Sequence, residues 1–190
     1  MLCVIRQFVI IIPYLRHIRK VVYVIPEKEQ RFIDLINLHQ GLIHKVCLMY
    51  EPDPETRSDL FQEIVLQLWK SFASFRAEAK ITTWMYRIAL NTAISGFRKK
   101  KRKVQTEDLA EKHFNIADSD AEDKEENFQR LQRAITQLPE IDRGIVMMAL
   151  DEIPYEDIAA TMGISQNNVR VRMNRIREKL RNLMAGDYGV

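Results

Sequence analysis

Apolar residues recur at every third or fourth position through most of this chain, so the pattern predicts helices from end to end. From Glu27 the spacing of Phe32, Leu35, Ile36, Ile43, Val46, Cys47 and Tyr50 gives a long helix with one apolar side, and EPDPET breaks it. A second helix is expected from about Asp59 to Phe72, burying Leu60, Ile64, Leu68 and Phe72 and exposing Asp59, Gln62, Glu63 and Gln67. A third follows a loop of small and charged residues. Thr82 or Thr83 can cap it, Trp84, Met85, Ile88, Ala89 and Thr92 form its inner stripe, and it runs out into consecutive bases from Arg98 to Lys103.

Val104 to Glu126 loses this periodicity and is rich in acids, which predicts a self-repelling tether. Helix resumes near Asn127 with Phe128, Leu131, Ile135 and Leu138 as its stripe, and Pro139 closes it. Ile141 to Glu152 gives another helix, with Ile145, Met148 and Ala149 inward. The chain thus divides into an extension (1–26), a first helical domain (27–103), an acidic linker (104–126) and a second helical domain (127–185). The expected fold is all-α, with two small helical domains on a flexible linker.

The second domain ends in two helices with a tight turn between them. Pro154 suits the first position of a helix, Ile158, Ala159 and Met162 give that helix an apolar side, and Gly163 accepts the left-handed backbone that ends it. Ser165 can cap the next helix, which starts at Gln166 and buries Val169, Met173, Ile176 and Leu180. Arg170, Arg172, Asn174 and Arg175 then point away from the packed face. A helical hairpin of an ordinary bundle shares this outline, but the short glycine turn sets the steep angle of a helix-turn-helix. Arginine and asparagine also carry the donor forks that match guanine and adenine edges.

Charge sharpens this picture through its distribution rather than its net value of +3. Bases crowd at Arg98–Lys103 and Arg170–Arg181 and acids between them, which fits one long polyanion held at two places. Aromatic and basic groups together suit unpaired nucleic acid, but for Trp84, Tyr86 and Phe97 taken singly core packing is the favoured reading, because aromatics at helical spacing usually serve as core. His39, His44 and Cys47 lack a fourth partner for a metal site. Cys3 and Cys47 form no disulfide framework, which favours a reducing cytoplasm. The Met1–Ile25 stretch is apolar but interrupted by Arg6, Pro13, Arg16, His17, Arg19 and Lys20, a weak fit to a membrane span or signal peptide.

Taken in order, DLFQEIVLQLWKSF (Asp59–Phe72), FRAEAKITTWMYRIALNTA (Phe75–Ala93), LPEIDRGIVMMALDEIPYEDIAATMGIS (Leu138–Ser165) and the basic helix after them resemble the extracytoplasmic-function type of bacterial sigma factor. The resemblance implies a protein without catalytic chemistry, cofactor, metal or small-molecule substrate. Its partners would be core RNA polymerase, promoter DNA and an anti-sigma factor, in the cytoplasm. It would put the polymerase contact at Asp59, Gln62, Glu63 and Gln67. Minus-ten recognition would fall to Arg76, Lys80, Thr83, Trp84, Arg87, Asn91 and Arg98, and minus-thirty-five recognition to Asn167, Asn168, Arg170, Arg172, Asn174 and Arg175. The Met1–Ile25 extension departs from the family pattern. A helix-turn-helix regulator that works without polymerase is the competing reading, but it leaves the Asp59–Phe97 domain unexplained. An enzyme finds no phosphate loop, nucleophile or metal spacing to support it.

Overall fold

The computed structural model describes residues 26–75, 80–104 and 123–186, and these form seven helices with no strand. We number them α1 (Glu27–Tyr50), α2 (Pro54–Phe72), α3 (Ile81–Val104), α4 (Asp123–Thr136), α5 (Glu140–Leu150), α6 (Tyr155–Met162) and α7 (Gln166–Gly186). The expectations for Met1–Ile25, for Arg76 and for most of the acidic tether lie outside the described residues.

Helices α1, α2 and α3 pack on one another around Phe32, Ile43, Val46, Ile64, Leu68, Met85 and Ala89, while α4 to α7 gather around Ile145, Met148, Ile158, Val169, Met173 and Ile176. The two bundles also touch, because α1 packs against α4 and α5 while α3 packs against α5 and α6. One apolar cluster therefore runs through both.

Several boundaries differ from the periodicity. Helix α2 begins at Pro54 rather than near Asp59, because Asp53 caps it: its carboxylate accepts from the Thr56 amide at 2.9 Å and the Thr56 hydroxyl at 2.8 Å. The EPDPET segment that breaks α1 is thus also the start signal of α2. Thr82 and Thr83 do not cap α3, which begins before them at Ile81, and the buried Thr83 hydroxyl has no hydrogen-bond partner. Helix α4 begins at Asp123, four residues before the start near Asn127 that the periodicity predicts. Pro139 and Pro154 each stand one residue before a helix, as N-caps of α5 and α6.

The end of α5 shapes the boundary between the two bundles. The helix stops at Leu150, and Glu152 takes a positive φ of 57°. Its amide donates to the Ala149 carbonyl at 3.1 Å and the Ile153 amide to the Met148 carbonyl at 3.0 Å, the paired bonds of a Schellman close. That turn, with Ile153 buried beneath it, aims Asp151 toward the first bundle.

Candidate nucleic-acid interface

The turn between α6 and α7 is built as its sequence predicts. Gly163 sits at φ 66° and ψ 34°, and the Ser165 hydroxyl accepts from the Asn168 amide at 3.2 Å. Val169, Met173, Ile176 and Leu180 are buried, which holds α7 by one stripe against α4, α5 and α6. The opposite side carries Asn167, Asn168, Arg170, Asn174 and Arg175, all exposed.

Arg172 is placed differently from its neighbours. Its Nη1 donates to Asp142 of α5 at 2.8 Å and its Nε to the Asn168 side chain at 3.2 Å, and the arginine and aspartate side chains are only 34% and 18% exposed. Arg172 thus braces α7 on α5, with its guanidinium committed to a carboxylate. Arg177 closes a similar brace to the Tyr155 hydroxyl at 3.0 Å.

Five of the residues proposed for the other element lie along one stripe of the first bundle. Lys80, Trp84, Arg87, Asn91 and Arg98 recur at helical spacing, so α3 with its leading residue presents them on one side, with the Trp84 ring 4.9 Å from that of Phe75. Thr83 lies off this row and is buried. The row is tied at two points to the second bundle: Arg87 donates to the Ala160 carbonyl at 2.8 Å and Arg98 to the Glu140 carboxylate at 3.2 Å. A backbone amide first, and then Arg98, hold the Glu140 carboxyl below its usual range against the opposing effect of partial burial.

Sequence reasoning missed the groups that join the bundles. The Arg143 guanidinium of α5 lies over the Tyr50 and Phe97 rings, 5.9 and 5.2 Å from their centroids, and donates to the Met49 carbonyl at 3.0 Å and the Leu138 carbonyl at 2.8 Å. Burial lowers its pKa, while the nearby Tyr50 and Glu140 oppose that shift. Asp151 receives both the Lys45 ammonium and the Tyr86 hydroxyl, and the Tyr50 hydroxyl donates to the Glu140 carbonyl. The signal that could have found Asp151 was the α5–α6 turn, where a polar residue projects beside buried apolar ones. Nothing in the periodicity marks Arg143.

On the opposite side of the first bundle, Asp59 and Glu63 stand on the lip of a groove of about 350 Å³ that also includes Leu60, Ala93, Phe97 and Lys100. Gln67 donates to Glu63 at 2.6 Å, and Gln62 is half-buried on the same outer side of α2. His44 stacks on Phe61 with centroids 4.5 Å apart, and the Cys47 thiol is pushed up to about 12, chiefly by burial. Among the described residues no group of three or more histidines, cysteines and carboxylates is placed to hold a metal, and no helix is long and apolar enough to cross a membrane.

Residues 35–103 match the family model of sigma-70 region 2, and residues 128–180 match that of sigma-70 region 4. The chain is 30% identical over 166 residues to the ECF RNA polymerase sigma-E factor of Escherichia coli K12, covering 81% of this chain and 86% of that protein. It is 35% identical over 136 residues to the Haemophilus influenzae sigma-E factor, covering 65% and 72%, and 28% identical over 165 residues to the sigma factor SigW of Bacillus subtilis, covering 80% and 88%. Its fold is similar to that of the sigma factor RpoE, solved with the anti-sigma factor NepR from Bartonella quintana, with a TM-score of 0.67 at 21% identity over 82% of this chain and 98% of that one. CnrH, solved with the cytosolic domain of CnrY, gives 0.61 at 19% identity over 84% and 90%.

Proposed function

The chain belongs to the extracytoplasmic-function sigma factors of bacterial RNA polymerase, and we propose that it binds core polymerase, recognises a two-part promoter and promotes its opening. The observation that carries this reading is the pair of polar rows, one on each bundle, within a chain matched by both sigma regions. Two contact surfaces on one polyanion fix its register as well as its affinity.

In this reading the outward face of α7 enters the major groove at the minus-thirty-five element. Arg170, Asn174 and Arg175 meet base edges, and Asn167 and Asn168 at the helix start meet phosphate. Arg172 supports that helix from its bond to Asp142. The α3 row of Lys80, Trp84, Arg87, Asn91 and Arg98 receives the minus-ten element, and Arg76, outside the described residues, is assigned to the same element from the sequence. Extruding a base there costs a few kcal/mol, offset by stacking on Trp84 and by phosphate contacts. Thr83, buried as it is, supports the helix from within.

Asp59, Gln62, Glu63 and Gln67 on α2 serve as the core polymerase contact. The protein works in the cytoplasm, brings no catalytic group or cofactor of its own, and is held in check by an anti-sigma factor, the kind of partner with which RpoE was solved.

Run-off transcription of genomic fragments by core RNA polymerase, with and without this protein, tests the function. Promoter-specific transcripts that need both components are expected. A stable dimer that binds an operator tightly without polymerase, and adds no transcripts to core enzyme, would instead make the chain a polymerase-independent regulator.

A further inference from the structure

We propose that Val171 reads the 5-methyl group of a thymine in the upstream promoter element, and so sets specificity at one base pair that the arginines and asparagines of α7 leave open. The inference rests on the assignment of α7 to the major groove and adds to it a residue and a base.

Val171 is an apolar side chain where packing does not call for one. The helix turns about 100° per residue, so the buried stripe of Val169, Met173, Ile176 and Leu180 puts Val171 on the far side. It is 40% exposed and stands outside the apolar cluster that runs through the protein. Its neighbours on that surface, one turn before and after, are Asn167, Asn168, Asn174 and Arg175, all exposed and polar. Helix stability does not call for it either, because a β-branched side chain loses rotamer freedom in a helix and is a poorer choice than alanine, lysine or glutamate at an exposed position.

The geometry of the face gives it a task. Val171 sits at the middle of the outward side, where the helix axis comes closest to a groove floor, and a short side chain fits there while longer ones reach out from the flanks. The next residue, Arg172, is turned aside to Asp142 and does not cover it. Of the four bases only thymine offers a methyl to an apolar group in the major groove, and cytosine in its place presents an amino group that a valine would leave without a partner.

The chemistry can be tested on the wild-type protein by changing the DNA. Promoters carrying a randomised upstream element are selected with holoenzyme, made from core RNA polymerase and this chain, and each thymine of the best element is then replaced singly by deoxyuridine, which removes only the methyl. At one position the replacement should weaken holoenzyme binding about fourfold, the worth of one buried methyl. Val171→Ala should lose a similar factor on the thymine promoter and show no further loss on the deoxyuridine one, whereas Val171→Thr, which keeps one methyl, should retain part of the discrimination. Circular dichroism should show unchanged helix in Val171→Ala, since alanine favours helix. Deoxyuridine sensitivity that is absent at every position, or unchanged in Val171→Ala, would overturn the proposal, as would a selected element made of G·C pairs alone. Any of these with normal transcription leaves the sigma-factor reading intact, while failure to transcribe from every promoter would strike that reading first.

Discussion

The outward face of α7 and the polar row of α3 both present arginine and asparagine, yet among the described residues only the α7 face stands clear of the neighbouring helices. Helix α7 buries a single stripe, so its opposite side is open. Helix α3 is buried more widely: Met85 and Ala89 are joined by Tyr86, Leu90, Ala93 and Ile94, and the helix meets α5 and α6 as well as α1 and α2. Its polar row is left as a strip bordered by the second bundle, with Arg87 and Arg98 already bonded across that border. Whether an arginine can meet DNA is thus decided by what its helix does on its other sides. Among the described residues, nucleic acid approaching the α3 row meets the bonds of Arg87 to Ala160 and of Arg98 to Glu140, and the outward face of α7 has no such bonds to the other bundle.

The largest expected effect breaks the contact that holds the two regions in this relation. Arg143→Ala removes a guanidinium that lies over two aromatic rings and the donors to two carbonyls, and should cost about 3 kcal/mol of unfolding free energy in urea. Dyes placed on α2 and α7 should also move apart. An unchanged midpoint and an unchanged dye distance would show that Arg143 is not the clamp.

A somewhat smaller effect sharpens the α7 side. Arg175→Ala should cost on the order of 1 to 3 kcal/mol of promoter affinity and relax discrimination at one upstream position. Lys179, which donates to the Gln137 carbonyl at 3.4 Å, should give only a weak and sequence-independent loss when changed to alanine. Transcription from single-base promoter variants separates the two. A wild-type order of preference in Arg175→Ala would remove Arg175 from the base-reading set. Arg172→Ala, judged by its bond to Asp142, should lower helix-turn-helix stability along with affinity.

Asp151→Asn keeps the shape of the α5–α6 turn and removes the charge that Lys45 and Tyr86 share. Both the aspartate and the lysine are partly exposed, so about 1 kcal/mol is expected, and less at high salt. Equal stabilities of mutant and wild type at low ionic strength would remove this contact from the joint.

The smallest effect is a pH slope. Burial, then the hydrogen bond and charge of Asp151, push Tyr86 above its ordinary 10.0, and burial does the same to Tyr50. Between that value and the raised one, the unfolded chain sheds protons that the folded chain keeps, so stability is full below about pH 10 and falls as pH rises beyond it. Tyr86→Phe should flatten part of that fall in urea titrations at pH 9 and pH 11. An identical fall in the mutant would assign the slope elsewhere.

Local signals explain which features were legible in the sequence. Gly163 and Ser165 announce the turn before α7 because backbone handedness and capping depend on immediate neighbours. Asp53 and Pro54 are equally local signals, but they share a segment with the end of α1, so a single interruption of the pattern stands for both an end and a start. The inner stripe expected for α3 leaves out Leu90, and Tyr86 is favoured as core only because it is an aromatic at helical spacing; the contacts that enclose both come from residues more than 50 positions away: Tyr86 bonds Asp151, and Leu90 lies against Gly144. A single apolar arc marks burial by one neighbour, and a helix enclosed from two directions blurs it. The polar row from Lys80 to Arg98 was visible in the sequence, whereas its bonds to Ala160 and Glu140 depend on how the bundles meet.

Gly144 gives the meeting of the bundles a mechanical character that charge alone would not. A Cβ at this position would stand 3.2 Å from the Met162 terminal methyl and 3.3 Å from both methyls of Leu90. Met162 is flexible and can yield, but Leu90 is almost wholly enclosed and belongs to the other bundle. One added methyl therefore acts as a shim in a joint, and a larger side chain would act as a thicker one. Ionic strength can loosen Asp151 and Glu140 from their partners, but it has no hold on a fit made of volume. Compaction of the free protein should accordingly fall with salt to a floor, and the height of that floor should be set by the size of residue 144.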